Sequence, residues 1–420
     1  MRKIILLLIC FFSLSQMYAD DFERAQRILD WIKTGEGDSL VSRFHPAIRA
    51  TLPAPAIEKV WSQLEEQAGA FVEQGEWQSE RCDTLLLEQC RLTFDQGQVR
   101  FVLFTDENQY VVGFHFKPIV KNLIPKTPED SLVQPRYVEK DTFVINGRIK
   151  LPATLCLPVD GQAKYPVVVM VHGIGPTDKD GTLGPNKPYR EVAHSFAAQG
   201  IATFRYDKRT FVYGSCPSKI GEVATYDTEV VDDAIVALDL VAGFPEVDAQ
   251  RVFVLGHSLG GMLVPRIAML SHHPLAGMIS VAGPARSLED WLRVQFRYLA
   301  EVEGTPIAQA DSLSDMIYSK MPAPYRAFAS AYNPVGTARG LHIPMLFLQG
   351  GHDFQVTHSD FEMWQKGLEG CENVHFVWLE NGDHLLRDIP QMAVPEMYMR
   401  PGKVSKEAVD AVVKFVLGRE

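Results

Sequence analysis

The stretch that most constrains the fold is residues 252–270, where a strand pattern changes to a helical one across a Gly-X-Ser-X-Gly turn. The first part is apolar and partly β-branched and ends at Gly256-His-Ser-Leu-Gly260, and apolar residues then recur at helical spacing. The two glycines leave room for a strained backbone, and the central serine of such a turn is lifted above the strand end. The sequence therefore predicts a strand, a sharp turn and a helix, with Ser258 presented as a nucleophile.

Strand and helix patterns alternate on either side of this stretch. Strands are predicted at Val167–Val171, Ile201–Tyr206, Gly277–Val281, Met345–Gln349 and Val374–Leu379, and helices at Tyr189–Gln199, Asp227–Ala242, Ser359–Leu368 and Lys406–Leu417. Such alternation implies a mostly parallel sheet with helices on both faces. A hairpin, Tyr137–Ile145 and Ile149–Leu157 joined by Asn146-Gly147, should precede it. We place this α/β domain at residues 136–420.

The pattern of residues 20–117 predicts a separate, smaller α+β domain. Helical periodicity dominates residues 21–75, and strand-like segments follow as far as Phe116. Between the two domains, residues 118–135 contain four prolines and little periodicity, which is typical of a linker.

Residues 1–19 have the layout of a secretory signal peptide. Arg2 and Lys3 precede an apolar stretch at residues 4–14 that is short for a membrane span, and small residues end at Ala19. We therefore expect cleavage after Ala19 and export, either periplasmic or extracellular, with no integral membrane segment left. Cleavage leaves 39 basic against 52 acidic residues, a net charge of −13, which disfavours nucleic acid as a partner.

Five cysteines remain after the predicted cleavage, so at least one is unpaired. Cys82 and Cys90 are close enough in sequence to bridge neighbouring strands, and buried free thiols are the alternative. The spacing of cysteine and histidine does not suggest zinc, and we expect neither a metal nor an organic cofactor.

A serine nucleophile needs a base and an acid that orients the base. Asp353 and His384 lie in the loops that follow the last two predicted strands. Because functional groups of open parallel sheets gather at the carboxyl ends of strands, both can face the same crevice as Ser258. His384 would take the serine proton, and Asp353 would fix the imidazole tautomer. Asp383 adjoins His384 but does not follow the preceding strand, as the acid should.

Two backbone N–H groups are candidates for the oxyanion hole. Leu259 follows the nucleophile, and Ile174 lies in the loop His172-Gly-Ile-Gly175 after the first strand of the alternation. His172 itself is predicted to pack inside and hold the loop. The charged run from Arg205 to Arg209 offers two alternatives, a site for a substrate carboxylate or a structural ion-pair network. The aromatic-rich residues 285–340 interrupt the alternation and are predicted to form a cap over the crevice.

These segments together resemble the α/β-hydrolase superfamily, in the branch of serine esterases similar to dienelactone hydrolases and prolyl-oligopeptidase catalytic domains. The motifs that carry the resemblance are His172–Asp180, Gly184–Pro188, Arg205–Thr210, the Gly-His-Ser-Leu-Gly turn and Gln349–Thr357. The resemblance covers about residues 136–420 and implies the α/β-hydrolase fold with a cap. Residues 20–117 resemble, by element order and length, the small nuclear-transport-factor-like domain that often precedes secreted esterases.

The sequence departs from its relatives at Ile174, where a small residue is frequent, and at Thr210, where glycine is common. Ile174 narrows the entrance to the oxyanion hole, which disfavours a large acyl group.

The sequence thus predicts an exported serine hydrolase that cleaves carboxylic esters through an acyl-enzyme, with Ser258, Asp353 and His384 as its triad. Its partner would be a small-molecule ester with a short acyl chain, and acylated sugars are among the candidates. A serine peptidase or amidase is the enzymatic alternative, although residues 21–117 are too short for a β-propeller gate. A non-catalytic binding module on the same fold is the other alternative, disfavoured because all triad positions are filled.

Overall fold

The computed structural model describes residues 22–49, 58–82, 85–118, 136–213 and 225–419. The chain divides into two compact units at the boundary between residues 133 and 134. The predicted signal peptide and residues 119–135 of the predicted linker lie outside the described residues. Within the described ranges, every helix is too short or too polar to span a bilayer.

The smaller unit packs helices against an antiparallel sheet. Its helices are α1 (residues 22–34), α2 (Gly37–Val41), α3 (Pro46–Arg49) and α4 (Val60–Ala68). Its strands are β1 (Phe71–Gln74), β2 (Gln78–Cys82), β3 (Leu85–Phe94), β4 (Gly97–Thr105) and β5 (Val111–Pro118). They pair in the order β1-β3-β4-β5, with β2 also on β3. The periodic apolar face of α1 lies in the core against β3 and β4.

In this unit the structure corrects one expectation drawn from the sequence and decides between two alternatives for another. The predicted helical region 21–75 is wrong at its end, because residues Phe71–Gln74 form β1. Phe71 pairs with Phe94 across the sheet, and its ring lies 5.5 Å from that of Trp61, so tertiary packing overrides the local pattern. Cys90 is a buried free thiol rather than half of a disulfide, and burial raises its pKa to about 12.

The larger unit is built on a mixed eight-stranded sheet. Its strands are β6 (Tyr137–Asn146), β7 (Ile149–Pro158), β8 (Tyr165–Val171), β9 (Ala202–Tyr206), β10 (Val247–His257), β11 (Gly277–Val281), β12 (Met345–Gly350) and β13 (Val374–Leu379). The spatial order is β13-β12-β11-β10-β8-β9-β7-β6. All pairs from β13 to β9 are parallel, and β7 and β6 continue the sheet antiparallel. The predicted hairpin is present, but Asn146 pairs with Ile149, so Gly147 and Arg148 form its turn.

Helices cover both faces of this sheet, as predicted. They are α5 (Pro188–Ala197), α6 (Arg209–Tyr213), α7 (Asp232–Ala242), α8 (Leu259–Leu270), α9 (Leu288–Glu303), α10 (Ile307–Lys320), α11 (Ala323–Ala331), α12 (Pro334–Arg339), α13 (His358–Gly367) and α14 (Lys406–Leu417). A π-helical turn, Asp227–Val231, leads into α7, and a 3₁₀ helix covers Pro395–Met399. Separate apolar cores form on the two faces, one with α7 and α8 and the other with α5 and α14.

Candidate active site

Ser258 lies at the turn between β10 and α8, in the strained backbone that the Gly-X-Ser-X-Gly pattern predicts. Its φ is 57° and its ψ −120°, a region that residues other than glycine rarely adopt. The flanking glycines permit this turn by close approach: a Cβ on Gly256 would lie 2.1 Å from Gly260 O, and one on Gly260 would lie 2.6 Å from Val171 O. The Ser258 N–H donates to Val281 O at 2.9 Å. The serine is therefore fixed by its backbone, with its side chain at the carboxyl edge of the sheet.

Asp353 and His384 come together at this edge. Nδ1 of His384 lies 2.7 Å from Oδ2 of Asp353, and both side chains are buried. A carboxylate accepts, so Nδ1 carries the proton and Nε2 keeps its lone pair. The other carboxylate oxygen, Oδ1, accepts from the N–H groups of Gln355 at 2.8 Å and Val356 at 3.1 Å. These two N–H groups hold the side chain of Asp353 in place, so that its Oδ2 can orient the imidazole.

Asp383, the neighbour of His384 in sequence, is bonded elsewhere. Its Oδ1 accepts from the N–H groups of Leu385 at 2.9 Å and Arg387 at 2.8 Å. Its Oδ2 accepts from Nε of Arg387 at 2.8 Å. The geometry thus brings Asp353 and not Asp383 to His384.

The residue before the serine, His257, connects the turn to the loop of His384. The two histidine rings lie 4.7 Å apart, and Nε2 of His257 donates to the backbone carbonyl oxygen of His384 at 2.7 Å. Nδ1 of His257 is then unprotonated and accepts from the Tyr189 hydroxyl at 3.0 Å. Burial, followed by the neighbouring His384, lowers the pKa of His257 to about 3, which keeps this ring neutral.

The loop with the predicted oxyanion donor runs directly beside the serine. A Cβ added to Gly173 would lie 3.1 Å from Cβ of Ser258 and 3.5 Å from its Oγ. Ile174, the next residue, has a side chain that is 42% exposed. Leu259 is the first residue of α8, where an N–H group has no acceptor within the helix. His172 is buried, and burial lowers its pKa to about 3, so it packs as a neutral ring.

A known relative matches nearly the whole chain. Esterase EstD of Thermotoga maritima is 32% identical over 381 residues, which covers 88% of this chain and 89% of EstD. The chain belongs to the α/β-hydrolase superfamily. A family described as serine aminopeptidase, S33, matches residues 163–319 of this hydrolase, and a family of unknown function, DUF3887, matches residues 25–114. The superfamily and the fold class predicted from the motifs are both confirmed.

Two solved structures of low sequence identity are similar to part of this chain. An esterase from Pyrococcus furiosus is 16% identical, covering 71% of this chain and 95% of that one, with a TM-score of 0.46. A putative dienelactone hydrolase from Klebsiella pneumoniae is also 16% identical, covering 67% and 98%, with a TM-score of 0.42.

The charged run after β9 forms structural ion pairs in this hydrolase. Arg205 contacts Glu139 at 2.7 Å, and Arg209 contacts Asp233 through two hydrogen bonds of 2.6 Å. Lys208 is paired with Glu229, a residue that the sequence did not single out. Of the two alternatives for this run, the ion-pair network is the one present, and its Lys208 reaches the loop beside Ser258.

Helices α9 to α12 occupy the predicted cap insertion, and side chains of this insertion bond to elements that carry the site. Trp291 Nε1 on α9 donates to Gln355 O, two residues after Asp353, at 2.7 Å. The Tyr332 hydroxyl donates to Met262 O of α8 at 3.1 Å. Tyr325 on α11 donates to Glu229 at 2.6 Å. Several aromatic residues of the insertion therefore anchor it to the sheet domain.

One group of potential metal ligands lies away from Ser258 among the described residues. Atoms of Glu139, Cys156 and His194 lie within 4.8 Å of one another. Glu139 is already bonded to Arg205 at 2.7 Å and to His194 at 3.0 Å. Burial raises the pKa of the Cys156 thiol to about 12, which disfavours the thiolate that binds metals. A guanidinium beside a protonated thiol makes this cluster a poor cation site.

Proposed function

We propose that this hydrolase is an exported serine esterase that cleaves carboxylic esters through an acyl-enzyme. The observation that carries the proposal is the 2.7 Å hydrogen bond between His384 and Asp353 beside the strained Ser258 turn. This arrangement supplies a nucleophile, a base with its lone pair free and a buried carboxylate that orients the base. The 32% identity to esterase EstD supports the choice of an ester substrate.

The proposed reaction begins when Ser258 Oγ bonds to the ester carbonyl carbon and His384 Nε2 takes the serine proton. The carbonyl π electrons move to the oxygen, and the N–H groups of Leu259 and Ile174 stabilise that charge. Collapse of the intermediate breaks the bond to the alcohol, which leaves with the proton from His384. Water then attacks the acyl carbon while His384 takes its proton. The bond between the acyl carbon and Ser258 Oγ breaks, His384 returns the proton to Ser258 Oγ, and the carboxylic acid is released.

The acyl group of the proposed substrate is short. Ile174 carries one of the proposed oxyanion donors, and this residue is exposed. It directly follows Gly173, which lies against Ser258, and this position supports placing its side chain at the entrance to the proposed oxyanion site. A branched side chain there occupies volume that a long acyl chain would need. Acetyl and butyryl esters, among them acylated sugars, are therefore the substrates that we expect to react fastest.

A serine aminopeptidase is the second candidate, because the S33 family matches residues 163–319. Such an enzyme needs a carboxylate that is free to bind the substrate ammonium group. Glu229 is connected to the loop beside Ser258 by Lys208. Its carboxylate is already occupied, because it is paired with Lys208 and accepts a hydrogen bond from the Tyr325 hydroxyl. This pairing favours the esterase over the aminopeptidase.

Covalent labelling tests the mechanism. A fluorophosphonate should label the wild type at one residue, and Ser258→Ala should abolish both labelling and hydrolysis of p-nitrophenyl acetate. Ser271→Ala, at the other end of α8, serves as the control and should be labelled like the wild type. Equal labelling of Ser258→Ala and the wild type would refute the proposed nucleophile.

A substrate panel separates the two candidate activities. We expect p-nitrophenyl acetate and butyrate to react faster than the decanoate, and all three faster than an aminoacyl anilide. The kcat/KM values for acetylated and feruloylated sugars then rank the classes of natural ester. A higher kcat/KM for the anilide than for every ester would favour the aminopeptidase.

The export part of the proposal is supported by the pattern of residues 1–19. Expression of the full chain in a bacterium should give a mature protein that begins at Asp20 and is released on opening the periplasm or is found in the medium. Leu7→Arg, which interrupts the apolar stretch, should keep the unprocessed chain in the cytoplasm. Recovery of wild-type protein that still begins at Met1 would contradict export.

A further inference from the structure

Gly173 is held through both of its backbone polar groups. Lys208 Nζ donates to Gly173 O at 2.9 Å, and both groups are buried. On the other side, the N–H of Gly173 donates to the Tyr189 hydroxyl, which in turn donates to His257. The glycine beside Ser258 is therefore fixed by two side chains from different elements, one after β9 and one in α5.

The hydrogen bond from Lys208 also fixes the direction of the next N–H group. The carbonyl of Gly173 and the N–H of Ile174 belong to one peptide unit, and cis peptide bonds are absent from the described residues. In a trans peptide these two groups point in opposite directions. With the carbonyl held by Lys208, the Ile174 N–H points away from Lys208. Rotation of this peptide would break the bond to a buried ammonium group, which is costly.

Lys208 is itself held from the cap side. It is paired with Glu229, and the Tyr325 hydroxyl on α11 donates to the other oxygen of that carboxylate at 2.6 Å. The exposed fractions are 2% for Lys208 and 6% for both Glu229 and Tyr325, so the three groups are shielded from water. In such surroundings a charged pair keeps its geometry, because any separation leaves an unpaired buried charge.

We infer that Lys208 is a positioning residue that sets the oxyanion hole by fixing the Gly173–Ile174 peptide, and that Glu229 and Tyr325 transmit the position of the cap to it. This inference rests on the proposed role of Ser258 as nucleophile. Lys208 acts through the Gly173–Ile174 peptide and not by contact with the substrate. It keeps the Ile174 N–H aligned for the oxyanion, so its loss lowers the rate of the chemical step more than substrate binding.

Lys208→Met tests the inference against a matched control, Arg209→Met. Both variants remove a buried cation from the same segment, but Arg209 is bonded to Asp233 and not to the oxyanion loop. Active sites are counted by complete fluorophosphonate titration, so that kcat is calculated per folded active site and unfolded protein does not lower it. For Lys208→Met we expect kcat on p-nitrophenyl acetate to fall by about 100-fold, as for loss of an oxyanion donor, with KM within about 3-fold. Arg209→Met should keep kcat within about 3-fold.

A trifluoromethyl ketone gives a readout that a merely structural role would not change. Such a ketone forms a hemiketal oxyanion with the serine, so its Ki depends on the oxyanion hole as the transition state does. The Ki should rise with Lys208→Met by about the factor by which kcat falls and should stay constant with Arg209→Met. If Lys208→Met does not fold, Tyr325→Phe replaces it, with a fall in kcat of about 10-fold and the same rise in Ki.

Two results would overturn the inference. One is a kcat and a Ki within about 3-fold of the wild type in the variant tested. The other is equal losses in Lys208→Met and Arg209→Met. Failure of the proposed function gives a different result, because the wild type itself would then be neither labelled at Ser258 nor active on esters.

Discussion

His257 Nε2 donates a 2.7 Å hydrogen bond to the backbone carbonyl oxygen of His384, so the residue before the proposed nucleophile holds the loop of the proposed base. The Tyr189 hydroxyl donates a hydrogen bond to the other ring nitrogen of His257 at 3.0 Å. An apolar cavity of about 30 Å³, lined by Tyr189, His257 and Leu385 among others, adjoins this pair, and apolar surroundings strengthen its hydrogen bonds. The loop of the proposed base is therefore held against the Ser258 turn by a neutral histidine that need not react.

Replacement of this histidine should slow catalysis through misplacement of the base. In His257→Leu we expect kcat to fall about 10- to 100-fold with little change in KM, because displacement of a reacting group by about 1 Å can cost 100-fold. His273→Leu is the control, since His273 also bonds a backbone carbonyl, Ala249 O, at 2.7 Å. Steady-state kinetics on p-nitrophenyl butyrate, normalised to titrated active sites, measures both. Equal effects of the two substitutions would show that His257 contributes stability alone.

The sequence indicated the framework of the site because its residues follow strand ends. Asp353 and His384 could be selected from the order of strands along the chain, and the structure places them 2.7 Å apart. The residues that hold them in place were not visible in this way. Tyr189 lies 68 positions from His257, and Glu229 lies 96 positions from Tyr325, so their contacts depend on how elements pack.

Secondary structure shows the same division between local and long-range causes. Strand β11 and helix α14 have the predicted bounds, because their apolar patterns end at clear boundaries. Strand β1 was missed because four residues carry too little pattern, and its formation depends on pairing with Phe94 at the far end of β3. Short elements stabilised by distant partners are the ones that local periodicity cannot reveal.

The roles of the two aspartates considered for the acid, Asp353 and Asp383, should be distinguishable by mutation. In Asp353→Asn we expect kcat to fall about 10⁴-fold, because an amide stabilises the wrong tautomer of His384. Asp383→Asn should keep kcat per titrated site within about 3-fold. It should lower the free energy of unfolding by about 3 kcal/mol, since Arg387 loses its buried partner. Kinetics and urea unfolding measure the two effects. An active Asp353→Asn with an inactive Asp383→Asn would reverse the assignment.

The size of the acyl group should depend on Ile174. Ile174→Ala removes a branched side chain beside the proposed oxyanion hole without removing its backbone donor. We expect kcat/KM for p-nitrophenyl decanoate, relative to the acetate, to rise about 10-fold, a typical effect of relieving one or two methylene clashes. Met269→Ala is a control with similar exposure, 49% against 42%, at the end of α8. An unchanged ratio in Ile174→Ala would indicate that another part of the pocket limits the length of the acyl chain.

Acid should destabilise the folded enzyme through His172. Burial, followed by the charge of Lys208, lowers the pKa of His172 to about 3 from its ordinary value of 6.5. Below pH 6.5 the unfolded chain therefore binds a proton that the folded chain does not, so stability is complete above 6.5 and is lost as the pH falls towards 3. Urea unfolding at pH 7, 6, 5 and 4 should show that the wild type loses up to about 1.4 kcal/mol more per pH unit than His172→Gln. Tyr206→Phe, which alters a ring 5.2 Å from His172 without removing an acid-titrating group, should keep the wild-type slope. Parallel slopes for the wild type and His172→Gln would mean that this histidine is protonated in the folded state.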